Sequence, residues 1–167
     1  SYGPPAGLPE FREAAASRFS ARDGIDLSAD RIVAIDSAAS GMVALARAYL
    51  EAGDEMLIFD PVDFLFSHGA DKAGAKTARF KLTASDEIDW DLFESLINPR
   101  TKMIGLCQPH NPLGRNFTEP ELRRILGLAQ KYDLWILADE IWSDIVFQPS
   151  RHVSMLSIDG SAERTLL

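Results

Sequence analysis

The sequence predicts an α/β protein with three layers, in which helices cover both faces of a mostly parallel sheet. Short apolar runs without a helical period recur along the chain, for example at residues 55–59 and 103–107. Such runs are typical of strands that are buried on both faces. Amphipathic helical patterns lie between them, and strands that alternate with helices are joined by crossovers, which makes neighbouring strands parallel.

The composition favours one globular domain and excludes some classes of partner. The 167 residues are 46% hydrophobic and 25% charged, which suffices for a hydrophobic core. The net charge of −8 argues against a nucleic-acid partner. Cys107, the one cysteine, lies in an apolar run, so we expect a buried core residue in a reducing, cytoplasmic compartment. These 167 residues contain no apolar run of about 18 residues and no signal-peptide pattern, so we expect no membrane partner.

The first third of the chain predicts two helices and one strand. Residues 10–19 have helical periodicity, and residues 31–35 form an apolar run that predicts a strand. The small residues 36–41 predict a turn, and residues 42–50 predict the second helix.

The middle of the chain continues the alternation. Strands are predicted at residues 55–59 and 76–82, and helices follow them at residues 64–73 and 89–96. The last residues, 164–167, predict a short final strand.

A strand–loop–helix–strand unit occupies residues 103–138. Thr118 and Glu121 have the spacing of a capping box, which predicts the start of the helix. The apolar face of this helix consists of Leu122, Ile125, Leu126 and Ala129. Asn111 and Asp139 each follow a strand, and ligands of parallel sheets gather at the carboxyl ends of the strands. We therefore expect an amide and a carboxylate to point into one crevice.

Prolines follow two of these strands. Asp60–Pro61 and Asn111–Pro112 occupy sharp turns, where an X-Pro bond loses little stability in the cis form. We therefore predict a cis bond in at least one of them.

The residues alone leave several interpretations of Asp139 open. One alternative is the acidic group of a nucleotide hydrolase, in which an apolar strand ends in Asp-Glu beside Mg²⁺. Such enzymes also need a G-x-x-x-x-G-K-[ST] loop, which the chain lacks. A G-x-G-x-x-G motif is missing as well. Asp139 can instead cap a helix within residues 141–147, or it can bind a cofactor. Asn111 can likewise be a turn residue before a proline.

Four segments carry a resemblance to a known family. Residues 110–115 (H-N-P-L-G-R), 117–122 (F-T-E-P-E-L) and 138–144 (A-D-E-I-W-S-D) resemble the large domain of fold-type I pyridoxal-phosphate enzymes. These include the class I/II aminotransferases and the related cystathionine β-lyases. Residues 2–13 are similar to their opening segment, Y-x-P-P-x-G-x-P-E-L-R-E.

The resemblance implies that residues 1–167 are an incomplete pyridoxal-phosphate-binding large domain. Family members also carry a C-terminal small domain and a lysine that binds the cofactor covalently. No lysine follows Lys131 here, so no catalytic residue is assigned and the isolated chain is expected to be inactive.

The resemblance also implies roles for individual residues. Asp139 keeps the pyridine nitrogen protonated, and Asn111 donates a hydrogen bond to the phenolic oxygen. Ser37, Ala38 and Ala39 precede a helix and match the phosphate site, where free N–H groups and the helix dipole favour an anion.

Two further positions, Trp142 and Phe64, depart from the family pattern, and Tyr2 lies in its opening segment. Trp142 replaces the usual tyrosine, and its indole N–H can donate to the phenolic oxygen. The family usually has an aromatic residue two positions after the proline that follows the strand, and it stacks on the cofactor ring. Phe64 lies one residue later, and it stacks on the ring if the loop shifts by one residue. Tyr2 matches the tyrosine that reaches the partner subunit's phosphate. Arg115 is expected at the surface or at a dimer contact.

Three functions are compatible with these residues. The first is transamination between an amino acid and a 2-oxo acid, which the Pro-Pro-x-Gly opening favours. The second is a carbon–sulfur β-lyase, and the third is a non-catalytic domain of the same fold. In the family, the complete site forms between two subunits, so the resemblance implies a homodimer.

Overall fold

The computed structural model describes residues 3–83 and 87–167. Its elements, in chain order, are α1 (Pro9–Asp23), α2 (Ala38–Tyr49), β1 (Glu55–Asp60), α3 (Phe64–Lys72), β2 (Lys76–Lys81), α4 (Trp90–Ser95), β3 (Thr101–Cys107), α5 (Glu119–Tyr132), β4 (Trp135–Asp139) and β5 (Thr165–Leu166). Short 3₁₀ turns lie at Ala29–Arg31 and Met155–Ser157. Apart from one strand, each predicted element is present, with ends that differ by a few residues.

The strands form one sheet in the order β2-β1-β3-β4-β5, and each neighbouring pair is parallel. The predicted α/β class with a mostly parallel sheet is therefore confirmed. Because the strands point the same way, the carboxyl ends of β1, β3 and β4 lie at one edge of the sheet.

Helices pack on both faces of the sheet and divide the core in two, because successive side chains of a strand point to opposite faces. On one face, Phe59 of β1 packs with Phe93 of α4 and Ile125 of α5. On the other face, Ile58 of β1 packs with Phe66 of α3 and with residues of α2. The predicted three layers are thus present, with α4 and α5 opposite α2 and α3.

Residues 31–35 do not form a strand, and that prediction is wrong. The backbone is extended at Ile32, with φ −108° and ψ 130°. Within the described part of the chain, however, no strand pairs with this segment. Val33 and Ile35 are 62% and 54% exposed. Apolar β-branched residues favour an extended backbone, but a strand also needs a hydrogen-bonded neighbour.

Helix α2 begins at Ala38, before the predicted start at residue 42. Ser37 caps it, and the Ser40 N–H donates to the Ser37 Oγ at 3.2 Å. The small residues 38–41 therefore form the first helical turn instead of a loop, since serine is a preferred N-cap and alanine is the best helix former.

The capping box of α5 is confirmed. The Thr118 N–H donates to the Glu121 carboxylate at 2.7 Å, and the predicted apolar face of the helix is buried. Glu121 also pairs with Arg115, whose side chain is only 11% exposed. The guanidinium lies over the Phe117 ring, 5.5 Å from its centroid. The expected surface position of Arg115 is therefore wrong, because the side chain is mostly buried against Glu121 and Phe117, and a dimer contact stays a prediction.

Both Asp60–Pro61 and Asn111–Pro112 are cis, which confirms the prediction that at least one of them would be. Gln108–Pro109 and Gln148–Pro149 are cis as well.

Candidate functional site

Three polar side chains lie at or just after the carboxyl ends of β1, β3 and β4. Asn111 is in the loop after β3, and its Nδ2 donates a hydrogen bond to Asp63 Oδ2 at 3.1 Å. The Asp63 N–H in turn donates to the Asn111 carbonyl at 3.2 Å. Asp139, the last residue of β4, is near enough for the charge of Asp63 to act on its pKa. The structure thus brings Asn111 and Asp139 to the same edge of the sheet, with Asp63 as a third member.

Asp139 is a partly desolvated carboxylate. Burial raises its pKa, a hydrogen bond from the Ile141 N–H at 3.1 Å lowers it, and the charges of Asp63 and Glu140 raise it further. No helix begins here, because residues 141–144 form a turn, so Asp139 is not a helix cap. A carboxylate in this state is stabilised by a positively charged partner.

A cavity of about 260 Å³ opens beside Asn111. Trp142, which is 46% exposed, also lines it. The remaining lining residues are Pro109, His110, Pro112, Gly114, Asn116, Ile145, Val146, Phe147 and Ser150. Two of the predicted site residues, Asn111 and Trp142, therefore share one cavity, whereas Asp139 is not part of its wall.

His110 is a buried residue of this wall. Its Nε2 lies 3.0 Å from the Phe59 carbonyl oxygen, and a carbonyl only accepts, so Nε2 carries the proton. Burial lowers the pKa of His110, which keeps the ring neutral at pH 7 and makes Nδ1 an acceptor. His110 Nδ1 and Asn116 Oδ1 are buried without a hydrogen-bond partner in the described ranges. Two residues of the wall therefore carry buried acceptors that lack a partner within the described residues.

Ser37, Ala38 and Ala39 lie at the N-terminus of α2, a helix that packs against β4 and α3. Ser37 Oγ serves as the cap and lies 3.0 Å from Ser40 Oγ. The N–H groups of Ala38 and Ala39 belong to the first turn, whose donors have no acceptor within the helix. These N–H groups suit an anion, and their role as phosphate ligands stays a prediction.

Phe64 is not part of this cluster. Phe64 is the first residue of α3 and is 72% exposed, with its ring centroid 6.5 Å from that of His68. It does not line the cavity, and its stacking on a cofactor stays a prediction. The residue at the expected aromatic position is Asp63. Tyr2 lies outside the described residues.

Asp63 has a role that the sequence pattern did not indicate. Besides holding Asn111, it caps α3, because its Oδ1 accepts from the Leu65 N–H at 3.0 Å. An aspartate directly before a helical pattern is a cap signal that could have identified the first role. The contact with Asn111 joins residues that are far apart in sequence, and no local pattern predicts it.

Glu140 is the second acidic residue whose role the sequence did not indicate. Its buried carboxylate accepts from the Met155 N–H at 2.7 Å, from Ser154 Oγ at 3.2 Å and lies 3.0 Å from His152 Nε2. It therefore fastens the segment after β4 to the sheet. Neighbouring carboxylates thus have different tasks, since both oxygens of Glu140 are used by the fold, whereas Asp139 accepts through Oδ1 alone among the described residues.

Cys107 is a buried core thiol, as expected. It is 1% exposed, and burial raises its pKa to about 12. Because the thiolate is the reactive form, we expect iodoacetamide to alkylate the folded protein roughly a thousandfold more slowly than the urea-unfolded chain. The intact mass over time measures both rates, and equal rates would contradict the burial of this thiol.

Two kinds of feature are missing from the part of the chain that the structure describes. No group of three or more His, Cys, Asp or Glu side chains there is arranged to hold a metal ion. Nor does any helix within residues 3–83 and 87–167 have the length and apolar character needed to cross a membrane.

Comparison with known proteins gives the same picture along nearly the whole chain. The model of the family "Aminotransferase class I and II" matches residues 1–166. The aspartate aminotransferase of Pyrococcus horikoshii is 30% identical over 99% of this chain and 42% of its own length. The arginine–pyruvate transaminase of Pseudomonas aeruginosa is 27% identical over 98% of this chain and 42% of its own length. The chain thus spans less than half the length of these curated relatives.

Solved structures also match nearly the whole chain and less than half of their own length. The aromatic aminotransferase of Pyrococcus horikoshii has a TM-score of 0.93 at 28% identity and covers 99% of this chain, which corresponds to 45% of that protein. Cystalysin from Treponema denticola, whose structure contains pyridoxal 5′-phosphate, has a TM-score of 0.88 at 25% identity over 99% of this chain and 43% of its own. With a family model that matches residues 1–166, the chain belongs to the class I and II aminotransferase family.

Proposed function

We propose that the protein is a pyridoxal-phosphate-dependent aminotransferase, which transfers an amino group between an amino acid and a 2-oxo acid. The observation that carries this proposal is Asp139, a partly desolvated carboxylate at the carboxyl end of β4 and at the same edge of the sheet as Asn111. The names of the similar proteins support transamination as the reaction. Because the chain covers less than half of those relatives, the activity is proposed for the whole protein.

The donors and acceptors of this edge suit the groups of pyridoxal phosphate. A protonated ring nitrogen gives the Asp139 carboxylate the cationic partner that offsets its desolvation. Asn111 Nδ2 has two hydrogens and uses one on Asp63, so the other is available to a phenolic oxygen. The indole N–H of Trp142, on the wall of the same cavity, is a second donor of the right kind.

When bound, the cofactor supplies an electron sink for the bond that breaks at the substrate's α-carbon. Asp139 maintains the proton on the ring nitrogen, which is what makes the ring an effective sink. The first-turn N–H groups of Ala38 and Ala39, together with the dipole of α2, bind the phosphate. The match of Tyr2 to the family's tyrosine implies a role at the phosphate site of the partner subunit.

A carbon–sulfur β-lyase is the second candidate, and Trp142 is the residue that favours it. The aminotransferases that the sequence resembles usually have a tyrosine at this position, whereas the lyase branch departs from it. An indole N–H donates a hydrogen bond but does not ionise as a phenol does, so the proton chemistry beside the phenolic oxygen differs.

We further propose that residues 1–167 are part of a cofactor-binding large domain of a cytoplasmic homodimer. Exposed apolar side chains support a surface that another segment or subunit covers. They include Phe11, Val33, Ile35, Ile141 and Phe147. The buried free thiol of Cys107 agrees with a reducing compartment.

The test is a half-reaction with the full-length protein loaded with pyridoxal phosphate. With one amino acid and no 2-oxo acid, an aminotransferase forms the matching 2-oxo acid in an amount equal to that of the protein and then stops. We expect this result, and we expect turnover to resume when a 2-oxo acid is added.

The other outcomes of the same experiment are also informative. A β-lyase releases pyruvate from cystathionine over many turnovers without an added 2-oxo acid, and this would replace the first proposal by the second. If neither product forms, both proposals are overturned in favour of a non-catalytic domain.

A further inference from the structure

We propose that Asp63 is a positioning residue: its carboxylate holds the side-chain amide of Asn111 in the orientation that presents an N–H to the phenolic oxygen of pyridoxal phosphate. The identity of the ligand rests on the proposed function. The hydrogen bond between the two side chains is a property of the chain itself.

Asp63 is held by separate contacts on its two carboxylate oxygens. Oδ1 accepts from the Leu65 N–H at 3.0 Å, and Oδ2 accepts from Asn111 Nδ2 at 3.1 Å. The Asp63 N–H donates to the Asn111 carbonyl at 3.2 Å. The Asn111 N–H also lies 3.3 Å from Cys107 Sγ. The carboxylate therefore cannot rotate without breaking a bond, and Asn111 is held at both its backbone and its side chain.

The orientation of a carboxamide matters because its two ends have opposite hydrogen-bonding character. A carboxylate only accepts, so Asp63 selects the orientation in which Nδ2 points towards it. The flipped orientation would place Oδ1 against the carboxylate and is disfavoured by repulsion. In the selected orientation the second Nδ2 hydrogen remains available to an acceptor on a ligand. Without Asp63, both orientations become accessible, and one of them presents an oxygen to an electron-rich phenolic oxygen.

The cap of α3 does not by itself require this residue. Serine caps a helix as well as aspartate does, and it adds no charge. The charge of Asp63 contributes to the raised pKa of Asp139, so it is unfavourable to the neighbouring carboxylate. The contact with Asn111 is the interaction that needs a side chain of this length.

Two variants separate the cap from the positioning. Asp63→Ser keeps a capping hydroxyl but is too short to reach Asn111. Asp63→Asn keeps the length of the side chain and, through its single oxygen, the cap, but it turns an NH₂ group instead of an acceptor towards Asn111 Nδ2. In protein that contains isotope-labelled asparagine, the Asn111 side-chain N–H signals report the contact without any cofactor. We expect a hydrogen-bonded, slowly exchanging signal in the wild type and its loss in both variants, which keep the cap but lack the second acceptor.

The second measurement is the affinity of the same proteins for pyridoxal 5′-phosphate. We expect both variants to bind roughly tenfold more weakly than the wild type, and Asp89→Ser, the same substitution at the cap of α4, to bind like the wild type. Wild-type N–H signals and wild-type affinity in Asp63→Ser would overturn the inference. If the wild type itself fails to bind the cofactor, the proposed function and the choice of ligand are overturned, while the N–H signals still decide whether Asp63 orients Asn111.

Discussion

Replacement of Phe59 by alanine is expected to lower the free energy of unfolding by about 3–5 kcal/mol. Phe59 is fully buried. Its ring stacks on Phe93 with centroids 4.6 Å apart and meets the rings of Phe80 and Phe117 at 6.0 and 5.0 Å. Truncation removes apolar area and leaves a cavity that the packed neighbours cannot close. Urea unfolding followed by circular dichroism measures the loss.

Phe64→Ala is the matched control, since it removes the same atoms from a side chain that is 72% exposed. We expect it to change the free energy of unfolding by no more than about 0.5 kcal/mol. Equal losses at the two positions would contradict the burial that distinguishes them. If Phe59→Ala abolishes the unfolding transition, Phe59→Leu should show a smaller loss in the same direction.

Replacement of Asp139 by asparagine is expected to weaken the binding of pyridoxal 5′-phosphate by about 10- to 100-fold. Asparagine keeps the shape of the side chain and the oxygen that accepts from the Ile141 N–H at 3.1 Å. It loses the charge, and a hydrogen bond to a charged group is worth about 1.5–3 kcal/mol. Titration with the cofactor measures the change. Asp159→Asn makes the same chemical change at an exposed position and should leave the affinity unaltered.

The same variant is expected to stabilise the protein at neutral pH in the absence of cofactor. The pKa of Asp139 is raised in the folded state, so the folded protein holds this proton more tightly than the unfolded chain does. The stabilisation that protonation supplies is lost as the pH rises through the folded-state pKa. Asparagine does not titrate, so the advantage of Asp139→Asn should grow between acid and neutral pH. Thermal unfolding of both proteins over this range is the measurement, and an advantage that shrinks with rising pH would contradict the assignment.

The sequence alone determined the fold class and the position of the candidate site. Strands buried on both faces are continuous apolar runs, as in residues 103–107, and such runs are visible without a structure. The start of α5 was predictable because the capping box of Thr118 and Glu121 is a local interaction. Asn111 and Asp139 were predictable as neighbours because parallel strands carry their carboxyl ends to one edge of the sheet.

Only the tertiary structure decided how side chains that are distant in sequence meet. Residues 31–35 have the composition of a strand, but pairing depends on a neighbour, which a local pattern does not contain. Arg115 is charged, yet it is mostly buried because Glu121 and the Phe117 ring accommodate it. The bond between Asp63 and Asn111 joins two loops whose approach is set by the spacing of β1 and β3 in the sheet. Such contacts depend on the packing of whole elements, so their partners become visible only when the chain is folded.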